Sequence, residues 1–149
     1  MHQEPILLPL NPLRSSLCSE LRCLIDELFV GNGGGVYAGT SVNSIVYFNM
    51  AASGSNWDAA TAFTNSCTAP DPGGVGNTTS DPLFVDRGAG NYRLSAHSPC
   101  VNTGINENWM TNSANVHSKD LDGRARIRYG TVDMGAYECI YEGAIIRMW

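Results

Sequence analysis

The sequence predicts an all-β chain whose short strands stack as a coil around one shared interior. Three observations lead there. The chain is 43% hydrophobic and only 15% charged, with 16 glycines among its 149 residues, a composition of turn-rich β proteins rather than of disordered acidic tails or helix bundles. Beyond Gly31 no helical period survives, and short apolar runs alternate with Gly, Asn, Asp and Pro. Those runs are too short to bury two faces each in a sandwich, whereas stacked in parallel they would share a continuous core, as solenoid repeats of roughly 20–45 residues do.

Taken in order, residues 1–30 read as a leader. Pro5, Pro9 and Pro12 keep residues 1–13 extended, and Leu17, Leu21, Leu24, Ile25 and Leu28 recur at three- and four-residue spacing, which predicts an amphipathic helix over about 15–29. Residues 31–149 read as the β domain. Gly35-Val36-Tyr37-Ala38 is a candidate strand, and Ser44-Ile45-Val46-Tyr47-Phe48 is the clearest one, with Asn43 and Asn49 suited to left-handed corners. Asn91-Tyr92-Arg93-Leu94, Arg126-Ile127-Arg128-Tyr129 and Thr131-Val132-Asp133-Met134 are further candidates. The stretch from Ala51 to Asp81, carrying Pro70, Pro72, Gly73, Gly74 and Gly76, reads as a long loop excursion off the coil, since it exceeds the roughly 12–15 residues of ordinary connections. Internal repetition is weak: Gly33-Gly34-Gly35-Val36-Tyr37 has no clear second copy.

Charge narrows the partners. A net charge of -5 with one lysine, Lys119, leaves no basic stripe for a phosphate backbone, so nucleic acid is not expected as a partner. Arg124, Arg126 and Arg128 form the one basic cluster, and Asp120 and Asp122 beside it predict local neutralisation. No apolar run reaches the ~18 residues of a membrane span, and the N-terminus carries no signal-peptide pattern.

The blocks Gly33-Gly34-Gly35-Val36-Tyr37, Asn43-Ser44-Ile45-Val46-Tyr47-Phe48-Asn49, Ser66-Cys67-Thr68, Asp81-Pro82-Leu83-Phe84-Val85-Asp86, Gly90-Asn91-Tyr92-Arg93-Leu94, Ser98-Pro99-Cys100-Val101-Asn102-Thr103-Gly104, Asp120-Leu121-Asp122-Gly123 and Val132-Asp133-Met134-Gly135-Ala136-Tyr137-Glu138 occur in that order. Over residues 31–139 the chain thereby resembles the closing segment of bacterial right-handed parallel β-helix proteins of the choice-of-anchor Q type. The resemblance implies a short pectin-lyase-like coil of few rungs, a secreted or cell-surface parent protein, and no catalytic residues to transfer. The upstream rungs of such a coil are missing. The helix over about 15–29 is then a candidate cap for the open end, and without a cap that end would invite self-association.

The candidate sites are few. Cys67 and Cys100 fall in matching blocks of the resemblance, and a disulfide between them would tie the 51–81 excursion to the coil, worth about 3–4 kcal/mol; the alternative is two buried thiols. Five cysteines leave at least one unpaired, and Cys18 and Cys23 read as small core residues on the expected helix. Asp120-Leu121-Asp122-Gly123 opens like a calcium loop but has no closing glutamate, so Asp-Gly turn chemistry competes with a metal site. Asp81 and Asp133 read as turn-holding carboxylates, against a carboxylate pair for glycoside cleavage. Trp57 and Trp109, with Tyr92 and Tyr129, are candidates for stacking on sugar rings if they are exposed. His97 and His117 have no nucleophile motif to serve. The functional expectation is a structural end cap without catalysis; the rival readings are a carbohydrate-binding module and a remnant polysaccharide lyase.

Overall fold

A computed structural model of the chain describes residues 23–25, 28–112 and 118–140. The protein is all-β, and no α-helix occurs among the described residues. Seven strands come in quick succession: β1 (Cys23–Ile25), β2 (Leu28–Asn32), β3 (Val36–Val42), β4 (Ile45–Tyr47), β5 (Met50–Ser53), β6 (Trp57–Thr64) and β7 (Cys67–Thr68). Two more, β8 (Phe84–Asp86) and β9 (Asn91–Leu94), form an antiparallel hairpin across a 3₁₀ turn at Arg87–Ala89.

The first seven strands pair only in parallel, each with the strand about one circuit away in sequence. β1 pairs with β4 and β4 with β7, so that Cys23, Ile45 and Cys67 stand in one row at intervals of 22 residues. β2 pairs with β5 from Leu28↔Met50, and β3 pairs with β6 through Ala38↔Ala60 to Val42↔Thr64 at the same spacing. Corners repeat with the strands. Asn43 (φ 52°) and Asn65 (φ 45°) both adopt the left-handed conformation that asparagine tolerates best after glycine. The serines that follow them, Ser44 and Ser66, each donate a hydroxyl to the carbonyl two residues back, and the Ser44 amide donates to Ser66 Oγ.

The spacing then halves. Cys67 bridges in parallel to Thr78, only 11 residues on, through hydrogen bonds from the Thr68 amide to the Thr78 carbonyl and from the Thr78 amide to the Ser66 carbonyl. The shortened path runs beneath the start of β6, where Asn56 Nδ2 donates to the Ala69 carbonyl and Trp57 Nε1 to the Pro70 carbonyl.

Adjacent residues of β4 face opposite ways, as the pleat requires, and this separates two cores. Val46 packs with Val36 and Phe63, and Trp57 leans on them, which forms the inner cluster. Ile45 and Cys67 face the other side of the same sheet, where Leu94, Cys100, Val101, Met134 and Cys139 cover them. The segment from Leu94 to Cys139 is thus a layer laid on the outer face of the β1–β4–β7 sheet. It is fixed by backbone hydrogen bonds from Met134 to Cys100, from Gly135 to Asn43 and from Gly104 to Val132.

Several sequence expectations need correction. The excursion over 51–81 is largely absent, because β5, β6 and β7 lie inside it; Ala, Ser and Thr at 51–64 form strands once a parallel neighbour supplies the hydrogen bonds. The helix over about 15–29 is replaced in its described part by β1 and β2, whose partners β4 and β5 draw residues 23–32 into the paired region; positions 15–22, with Cys18, lie outside the described residues. The paired region therefore begins before residue 31, the expected boundary. Arg126-Ile127-Arg128-Tyr129 and Thr131-Val132-Asp133-Met134 are bends rather than strands, since burial of Arg126 and Asp133 pulls both segments into irregular paths.

Candidate functional site

The one place where ionisable groups converge is the outer layer, where the turn 118–126 meets the arm 132–139. Asp120 organises the turn. Its Oδ1 accepts from the amides of Asp122 and Arg124, and its Oδ2 accepts from the Glu138 amide at 3.0 Å. Asp133 does the same for the arm, accepting from the Asn102 amide at 2.7 Å and from the Cys139 amide at 2.6 Å. Both carboxylates thus replace backbone partners that irregular chain cannot provide for itself.

Between them lies a buried ion pair. Arg126 and Glu138 are 2% and 4% exposed, and Arg126 Nη1 stands 3.2 Å from Glu138 Oε1. Arg126 Nη2 donates to the carbonyls of Asp133 and Gly135, and Glu138 Oε2 accepts from the Asp133 amide. Burial pushes the Glu138 carboxyl up to about 8, against the pull of Arg126 and with Asp133 and Asp120 adding in the same direction. Burial likewise raises Asp133 and the Cys139 thiol. At the rim Asp122 receives guanidinium hydrogen bonds from Arg93 and Arg124, which hold it below the usual carboxylate range. Arg93 also lies 4.7 Å over the Tyr137 ring.

No family model, curated protein or solved structure matches the chain. The site is therefore judged on its own geometry. Asp120 and Asp122, the candidate calcium ligands, do sit together, but one is engaged by three amides and the other by two guanidinium groups. Among the described residues no group of three or more His, Cys, Asp or Glu side chains is arranged to hold a metal ion. Asp81 and Asp133 act as turn-holders, Asp81 accepting from the Leu83 amide, and they belong to different parts of the layer.

Cys67 and Cys100 do meet in one apolar cluster, together with Cys139, which sequence reasoning left out. All three are free thiols, in place of the bridged pair the sequence suggested; they lie within a packed cluster, with Cys67 Sγ donating to the Ser80 carbonyl. The aromatic candidates are engaged locally. The Trp57 ring packs edge-on against Phe63 at 5.8 Å and Tyr92 against Phe84 at 5.5 Å. Trp109 Nε1 donates to Glu107, and Arg128 approaches the Tyr129 ring at 5.9 Å. His97 is exposed, while His117 lies outside the described residues.

Proposed function

We propose that this chain is the closing piece of a right-handed parallel β-helix, with a structural rather than a catalytic role in a secreted or surface-exposed parent protein. The observation that carries the reading is the row Cys23–Ile45–Cys67, held at a constant 22 residues and then cut to 11 at Thr78. A coil of constant circuit offers a fresh strand edge at every turn, which is a template for unwanted pairing. A halved circuit followed by an antiparallel hairpin ends the repetition. The right hand follows from the strong preference of parallel crossover connections.

The placement of charge supports a structural role. Asp120, Asp133, Glu138 and Arg126 are all turned into the protein and committed to one another or to backbone amides. A polysaccharide partner is supported less well by this chain, because the Trp57 ring is committed to Phe63 and its Nε1 to Pro70.

The test is Met134→Asp, which places a charge in the cluster over Ile45 and Cys67 and lifts the outer layer from the first sheet. Sedimentation velocity over a range of concentrations should show the variant associating more strongly than the parent chain. A variant that unlatches the layer, by loss of amide protection at 132–139, yet sediments as the parent does would overturn the closing role.

A further inference from the structure

The buried charges of the outer layer do not balance. Three carboxylates, Asp120, Asp133 and Glu138, each no more than 7% exposed, face one buried guanidinium, Arg126. Two of the three are needed as acceptors of short hydrogen bonds from amides: Asp133 from Asn102 and Cys139, and Asp120 from Asp122, Arg124 and Glu138. Glu138 is different. Only its Oε2 accepts an amide, at 3.2 Å, while its Oε1 is buried without a hydrogen-bond partner and has Arg126 for company. Arg126 in turn divides its hydrogen bonds between the carbonyls of Asp133 and Gly135. Glu138 is thus the carboxyl that carries a proton at least cost and ionises at greatest cost, since its negative charge would stand unhydrated beside two others.

The geometry points to a proton-operated latch: the arm 132–139 is closed on the turn 118–126 while Glu138 is protonated, and ionisation of Glu138 loosens it. The groups that face Glu138 among the described residues are Arg126 and Asp120 from the turn and Asp133 from the arm, with the Cys139 thiol adjacent. What the latch covers gives it a consequence. Met134 and Cys139 lie over Ile45, Cys67 and Cys100, so a loosened arm opens the outer face of the first sheet and its three thiols to solvent.

Burial holds the Glu138 carboxyl up to about 8 in the closed state, against an ordinary value of 4.5. The proton is therefore bound more tightly by the closed form, and opening is favoured as pH rises. Between pH 6 and pH 8 the open population should rise about fifty-fold, levelling above pH 8.

The test is amide hydrogen exchange on the full chain at pH 6, 7 and 8, with each rate corrected for the intrinsic effect of pH. Protection of the Gly135, Glu138 and Cys139 amides should fall about fifty-fold, while the β6 amides hold steady. Glu138→Gln, which cannot ionise, should remove the fall. The wild-type chain supplies a second measurement that does not depend on folding of the variant: the Glu138 side-chain carboxyl carbon should titrate near pH 8 in an NMR titration. Flat corrected protection in the wild type, an undiminished fall in Glu138→Gln, or a carboxyl titrating near its ordinary value would each overturn the latch.

Discussion

Replacing Asn43 by alanine removes two separate contributions, and the structure allows each to be sized. The side chain is fully buried at a left-handed corner, φ 52°, between β3 and β4. Its Nδ2 donates to the Ile105 carbonyl at 2.8 Å and its Oδ1 accepts from the Ile105 amide at 2.6 Å, which ties the first corner to the outer layer 62 residues away. Losing both bonds at a part-buried position costs about 1 kcal/mol each. An alanine held in the left-handed region costs roughly a further 1–2 kcal/mol. Asn43→Ala should therefore lose about 3–4 kcal/mol in urea unfolding. Asn43→Gly relieves the backbone cost but gives back about 0.5–1 kcal/mol through the freedom of the unfolded chain, so it should be more stable than the alanine variant by about 0.5–1 kcal/mol. An alanine variant within 1 kcal/mol of wild type, or a glycine variant no better than alanine, would refute the corner as described.

Gly35 has a Cβ position only 2.6 Å from Val46 Cγ1 and 2.7 Å from the Asn56 carbonyl oxygen, so Gly35→Ala should cost about 1–3 kcal/mol by thermal or urea unfolding. Arg126→Met leaves the carbonyls of Asp133 and Gly135 and the Glu138 carboxyl without their guanidinium, and should cost about 3–5 kcal/mol at pH 8. The loss should be smaller at pH 6, where Glu138 is neutral. Global stability should also fall as pH rises from about 5 towards 8, by up to about 1.4 kcal/mol per pH unit, because the folded state with Glu138 near 8 binds the proton that the unfolded state has released. Urea midpoints measured across that range check it, and a rise over the same range would contradict the buried-acid account. The three core thiols should react with a disulfide reagent at pH 6 far more slowly than after unfolding.

How much of this was legible follows from where the signals lie. β4 and β9 showed themselves because Ile45, Val46 and Tyr47, and Tyr92 and Leu94, are β-branched, aromatic or large apolar residues bounded by turn formers. Asn43 was read as a left-handed corner for the same local reason, whereas the second such corner is Phe48 rather than Asn49. β5 and β6 stayed hidden because Met50–Ser53 and Trp57–Thr64 are rich in small residues whose strand state depends on a neighbour one circuit away. One signal was available and overlooked: the pair Asn43-Ser44 recurs as Asn65-Ser66, which fixes both the corner and the 22-residue period.

The outer layer was hardest to foresee. Arg126 stands among arginines and acids that suggest a solvated, self-neutralising surface, and Arg124 with Asp122 is that. Arg126 instead turns inward to Glu138, a pairing that only the folding back of 132–139 creates. Nor does the sequence tell that Ile45 and Val46 serve different cores, since both sides of β4 are buried.

The stacking itself is tested most directly by nuclear Overhauser contacts between backbone and methyl protons of the folded chain. The parallel register requires contacts linking Ala38 to Ala60, Thr40 to Ala62 and Ile45 to Cys67, with both positions advancing together along the strands. Contacts in which one position advances as the other retreats, with the strong Hα–Hα peaks of antiparallel neighbours, would contradict the coil.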